Sequence, residues 1–198
     1  MSASTKPTKL REMPPMRRIG FLLAAAVLAS VLPAGLNAQA AGASATPPGF
    51  RGEILGQFEG SMSKFVALAR AMPPEKYTWS PGEGVMTVAR VYGHVARYNY
   101  YYPASALGIT APAGLGLDTL ERMTNKASIV ALLEQSGAHV RNAVTGMSDE
   151  QLAKPTTLYG RRVPQWAVLL QLVAHMNEHL GQSIAYARSN NVVPPWSQ

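Results

Sequence analysis

Cysteine is absent from the 198 residues. That excludes disulfides, thiolate metal sites, cysteine nucleophiles and a lipid anchor on an N-terminal cysteine. Charge is sparse as well, with Asp, Glu, Lys and Arg at 15% of the chain. There is no dense basic stripe of the kind a nucleic-acid footprint needs, and Arg161-Arg162 reads as a solvated turn. The uncharged apolar run Ile19 to Leu32 has 14 residues, short of the roughly 20 that span a bilayer. No useful period-two alternation and no internal repeat occurs, so strands are not expected to carry the fold.

What stands at the beginning of the chain has the layout of a secretory signal. Lys6, Lys9, Arg11, Arg17 and Arg18 precede the apolar run, and Ala38-Gln39-Ala40 follows it. Residues 1–40 are therefore expected to be a signal peptide and 41–48 a small-residue linker, with a domain over 49–198. The protein is expected to be exported, periplasmic or secreted, with no membrane contact after cleavage. Of 18 basic and 11 acidic side chains, the first 40 residues hold five and one, which leaves 13 and 10, a net +3. A domain of about this size can bury a sufficient core without covalent staples.

Four helical segments follow. Leu55, Phe58, Met62, Phe65 and Ala69 recur at spacings of three and four, which predicts a helix from Phe50 to Ala71 ended by Pro73-Pro74. A second helix starts at Thr87, with Val88, Val91, Val95 and Tyr98 on one face, His94 among them and Pro103 as its end. A Gly/Ala/Pro-rich stretch, Ala104 to Leu117, is long enough for a crossover. A third helix covers Lys126 to Val144, with Thr124 or Asn125 as cap and Ile129, Leu133, Ser136, Val140 and Ala143 inward. Pro155 to Val163 reads as a turn or a small hairpin around Tyr159-Gly160. The fourth helix runs from Pro164 to Ser189 and is apolar over a wide arc (Trp166, Leu169, Leu170, Val173, Met176, Leu180, Ile184), which predicts burial on most sides. The fold class is all-α, a four-helix bundle.

His175 and His179 stand four residues apart, so on a helix both imidazoles point the same way, one turn apart. His94 lies mid-helix on an apolar face. Together these three suit one divalent metal ion held between facing helices, with an open position for a substrate. Zinc is the default; nickel or iron also accepts imidazole. Nitrogens within about 3–4 Å of one another would accept a metal at about 2.0–2.1 Å, and a wider spread would mark hydrogen-bonded structural histidines. His139 falls beside the core face of the third helix and is read as a surface residue outside the site. His175-Met176-Asn177-Glu178-His179 also matches the inverted zinc-peptidase motif H-x-x-E-H, but no Asp or Glu follows Glu178 to supply the further ligand. Glu178 is a candidate base acting through metal-bound water, or else a supporting or solvent-facing carboxylate. Tyr98, Tyr101 and Gln182 flank the ligands as pocket or supporting residues, whereas Tyr186 is expected to pack in the core. The run Tyr98 to Tyr102 reads as a pocket lining or a homodimer face.

Three stretches resemble the DinB-like superfamily of bacterial four-helix bundles: Tyr77-Thr78-Trp79-Ser80-Pro81 with Met86-Thr87-Val88 and the helix to His94; His175 to Gln182; and Tyr186, Arg188 and Val193-Pro194-Pro195-Trp196-Ser197. The resemblance spans about Arg51 to Ser197. It implies an up-up-down-down bundle with crossover connections, and a metal site from one histidine on the second helix and an H-x-x-x-H pair on the fourth. These positions are His94, His175 and His179. It also implies transferase or isomerase relatives that use low-molecular-weight thiols, which an exported chain would rarely meet in reduced form. The expected function is thus metal-dependent hydrolysis or transfer on a small-molecule substrate. The alternatives are a non-enzymatic metal- or ligand-binding protein of the envelope, and a structural bundle with dry histidines.

Overall fold

The structure, a computed structural model, describes residues 49–197. The signal peptide and linker expected over 1–48 lie outside the described residues. Four long helices form the bundle: α1 (Gly49–Ala71), α2 (Val88–Leu107), α4 (Lys126–Thr145) and α6 (Trp166–Ser189). Two short helices, α3 (Leu117–Leu120) and α5 (Asp149–Ala153), and a hairpin of β1 (Pro155–Leu158) and β2 (Arg161–Pro164), sit in the connections. Among the described residues no helix is long and apolar enough to cross a membrane.

Local chemistry sets the helix ends. Thr87 caps α2, its Oγ1 accepting from Arg90 N at 3.2 Å, and Asn125 caps α4 through Ser128 N at 3.0 Å. Where Pro73-Pro74 stops α1, Lys126 Nζ donates to the carbonyls of Arg70 and Met72, both at 2.7 Å. An ammonium at a helix C-terminus meets both the unpaired carbonyls and the negative end of the dipole. Pro103 does not end α2. The helix carries it inside and continues to Leu107, where Gly108 adopts φ 71° and closes the cap. Burial of Tyr102, Ala106 and Leu107 against the core outweighs the one backbone bond that proline removes. The turn Tyr159-Gly160 is a hairpin turn, both residues having positive φ (50° and 72°).

The core is built from the expected faces: Leu55, Phe58, Met62 and Phe65 of α1 against Val91 and Val95 of α2, Ile129, Leu133 and Val140 of α4, and Leu169, Met176 and Leu180 of α6. Each of α1 and α2 packs on both α4 and α6, so α1 and α2 are diagonal. The pairs Glu59–Arg141 and Arg70–Glu134 make α1 and α4 antiparallel. Phe50–Trp166 and Ser61–Asn177 make α1 and α6 parallel. His94–His179 and Tyr102–His175 make α2 and α6 antiparallel. The directions along the chain are therefore up, down, down, up, not the expected up-up-down-down. One connection, from α2 to α4, crosses the length of the bundle.

Three side chains depart from their expected places. Trp166 and Leu170 are 39% and 51% exposed, so the start of α6 is not buried on most sides. Phe50 meets Trp166 edge to face at 5.8 Å. His139 is not a surface residue: it is half-buried, its ring 4.9 Å from that of Tyr100. The outer edge of the α4 core face lies under the α2 aromatics, which the periodicity of α4 alone does not reveal.

Candidate metal centre

Because α2 and α6 run antiparallel side by side, His94 meets His175 and His179 across one interface. Ring centroids are 5.1 Å apart for His94–His175, 4.8 Å for His94–His179 and 4.6 Å for His175–His179. His94 Nε2 lies 3.2 Å from His175 Nε2. One ligand nitrogen from each of the three comes within 4.8 Å of the others. That is wider than the expected 3–4 Å, so as they stand the rings meet as hydrogen-bonded histidines, His94 Nε2 against His175 Nε2. Bonds of about 2.1 Å hold two nitrogens at most about 4.2 Å apart, so closing the set requires a small rotation of one imidazole. This three-histidine group could bind a metal ion.

The outer nitrogens of two rings are held. His94 Nδ1–H donates to Glu121 Oε1 at 2.9 Å. His179 Nδ1–H donates to Gln182 Oε1 at 2.8 Å, and Gln182 Nε2 donates to the Tyr186 hydroxyl at 2.8 Å. Such partners fix the tautomer that leaves Nε2 with its lone pair turned inward, and a carboxylate partner also raises ligand basicity. The donor chemistry therefore fits a borderline divalent ion.

Sequence reasoning missed Glu121. It follows α3 directly, in a segment with no periodicity to place it. A signal exists in Gly93, beside His94. A Cβ there would stand 2.4 Å from Leu120 O and 3.0 Å from Leu120 C. Only a glycine lets the segment approach α2 closely enough for Glu121 to reach the ring.

The expected flanking residues divide. The Tyr98 ring lies 4.6 Å from both His94 and His175 and walls the group. Tyr101 is exposed and touches Tyr98 rather than the histidines. Gln182 supports His179, and Tyr186 is buried against Trp79 as expected, with the added hydrogen bond from Gln182. Tyr102, expected only as the last member of the Tyr98 to Tyr102 run, lies 5.8 Å from His175 by ring centroid, and its hydroxyl contacts that of Tyr159 at the hairpin tip. Glu178 is exposed.

Burial drives the electrostatics. It pushes His175 down to about 3, reinforced by His179 and His94, and lowers His94 despite the opposing pull of Glu121. For Glu121 burial alone would raise the pKa; the hydrogen bonds and charges of His94 and Arg90 outweigh it, and the carboxyl lies below its ordinary value. Neutral imidazoles and an ionised outer carboxylate are the protonation states metal binding requires. A stability consequence follows. A depressed histidine pKa gives a contribution fully present above the unfolded value of 6.5. It is lost as pH falls toward the folded value, because the unfolded chain then takes up protons the folded one refuses. The melting temperature of metal-free protein should therefore decline from about pH 6.5 to about pH 5, before most carboxylates titrate. His175→Phe should flatten that slope, and a flat profile in the parent would show the rings to be freely hydrated.

The fold is similar to that of several solved proteins. A DinB-like protein from Bacillus cereus ATCC 10987 superposes with a TM-score of 0.65 at 18% identity, over 74% of this chain and 95% of that one. A conserved protein from Enterococcus faecalis gives 0.62 at 14% identity, over 72% and 97%. A mycothiol-dependent maleylpyruvate isomerase gives 0.52 at 18% identity, over 66% and 59%. No curated protein matches the sequence significantly. The family model of the DinB superfamily matches residues 57–186, well over half of the chain, and the protein belongs to that superfamily.

Proposed function

We propose that the protein is an exported zinc-binding bundle whose His94, His175 and His179 hold the ion for a metal-dependent hydrolysis or transfer on a small-molecule substrate. The observation that carries this reading is the convergence of three imidazoles, two of which already have their outer nitrogens bonded to Glu121 and Gln182. A bound zinc ion would supply Lewis acidity, polarising a carbonyl or activating water. The chain's own residues then have separable tasks. Glu121 and Gln182 orient rings, Tyr98 excludes water from one side, and the hairpin tip at Tyr159 borders the approach past Tyr102. Export rests on the signal-like layout of residues 1–40. A second reading, metal binding without catalysis, is favoured by Glu178, because the one expected base faces solvent.

Elemental analysis of protein purified without a metal-binding tag tests the site. Wild type should carry close to one equivalent of zinc and His94→Ala almost none. No metal in either after incubation with Zn²⁺, Ni²⁺ and Fe²⁺ would overturn the metal reading. The intact mass of the same preparation tests export: loss of about the first 40 residues supports it, and an uncleaved chain argues against it.

A further inference from the structure

Beside His94 lies a cleft of about 440 Å³ lined by Arg90, Arg97, Arg122, Asp118 and Glu121. Three guanidinium groups against two carboxylates leave one positive charge in excess. The arginines are not equivalent. Arg90 Nε is spent on Glu121, at 3.3 Å. Arg122 is an exposed side chain at the rim.

Arg97 differs from both. Its side chain is only 23% exposed. Its guanidinium carbon lies 5.2 Å from the ring centre of Tyr98 and 5.7 Å from that of Tyr101, within cation–π range of both rings. Its nearest carboxylate oxygens are Asp118 Oδ1 at 3.6 Å and Glu121 Oε1 at 3.8 Å. Both are beyond hydrogen-bonding distance. Glu121 Oε1 is committed to His94 Nδ1, and Asp118 is 91% exposed. Among the described residues Arg97 has a guanidinium whose donors are not hydrogen-bonded.

We infer that Arg97 is a carboxylate-binding residue, holding a small monocarboxylic acid in the cleft that shares Glu121 with His94. The inference goes beyond the metal-centre reading above and names a ligand class. Position supports it: Arg97 is three residues beyond His94 on α2, and the Tyr98 ring beside it is the ring that touches both His94 and His175. A planar fork matches a carboxylate with two parallel hydrogen bonds. One net positive charge suits a monoanion better than a multiply charged phosphate, which Asp118 and Glu121 would repel.

Benzoate titrated into zinc-loaded protein, with benzamide as the neutral isostere, tests this by calorimetry or by NMR shifts of the Tyr98 and Arg97 signals. Benzoate should bind and benzamide should bind at least about 10-fold more weakly. Arg97→Gln should weaken benzoate by about 10–100-fold, the scale of a lost charge-assisted hydrogen bond. Its zinc content and circular dichroism should be unchanged. Arg97→Lys should recover only part of the affinity, because an ammonium lacks the fork. Equal benzoate affinity in wild type and Arg97→Gln would mean that the anion contacts the metal alone, and would overturn the inference, as would no benzoate binding to zinc-loaded wild type. Benzoate binding that depends on Arg97 in a protein that takes up no metal would support the cleft while removing the metal reading.

Discussion

Gly93→Ala should lower stability by about 1–3 kcal/mol, the range for inserting a methyl group into packed structure, and should weaken zinc binding at the same time. Both effects have one origin. The new Cβ would stand 2.4 Å from Leu120 O and 3.2 Å from Glu121 Cα. These are backbone atoms and cannot rotate aside. Either α2 or the 120–121 segment must move, and any retreat of that segment lengthens the 2.9 Å hydrogen bond from His94 to Glu121. Gly137→Ala is the control. There the Cβ would meet Met62 Cγ at 2.9 Å, a side-chain atom that χ1 rotation can move, unlike backbone, so its cost should be smaller than that of Gly93→Ala, with zinc affinity unchanged. Thermal melts should show Gly93→Ala lower by roughly 2–4 °C per kcal/mol for a domain of this size. Equal melting temperatures and equal zinc affinities for the two variants would show that the Leu120–Glu121 segment yields freely, and that Gly93 does not set the position of Glu121.

The contrast between Glu121 and the histidines shows which parts of the site a sequence exposes. His175 and His179 are legible because helical spacing converts four residues into one turn on one face. His94 is legible because a polar ring on an apolar stripe demands a partner. Glu121 lies in a short non-periodic segment, and nothing in its neighbours says which helix that segment will touch. Gly93 was visible, but a glycine inside a helix marks a close approach without naming what approaches. The helix directions were hidden for a similar reason. The connections between long helices run over residues 72–87, 108–125 and 146–165. Each is long enough to cross a helix of about 30 Å, so length alone does not tell which one crosses. His139 was misplaced because the flank of α4 is covered by Tyr100 of α2, a contact set by tertiary packing. Pro103 misled because propensity is a weak prior, and burial of the α2 end at Ala106 and Leu107 overrides it.

Glu121→Ala should reduce zinc affinity by about 10–100-fold, the usual consequence of removing an outer-shell partner of a metal-ligating histidine. Two contributions combine in that figure. The carboxylate fixes which His94 nitrogen carries the proton, and without it the ring is free to rotate or to exchange tautomers. Its negative charge also makes Nε2 a better donor to a cation. Glu121→Gln separates them. A glutamine Oε1 still accepts from Nδ1–H at the same place, so orientation is kept while the charge is lost, and the loss should fall at the low end, about 10-fold. Glu178→Gln supplies the comparison on the other ligand helix. Glu178 adjoins His179 in sequence but faces solvent, so its zinc affinity should match wild type. Competition titrations against a chromophoric chelator would rank the four proteins, with wild type and Glu178→Gln together, Glu121→Gln weaker and Glu121→Ala weakest. Glu121→Ala binding zinc as tightly as wild type would show that the His94–Glu121 contact is a surface ion pair with no part in the site. Glu178→Gln as the weakest of the four would move the supporting carboxylate to α6 and return the H-x-x-E-H motif to consideration.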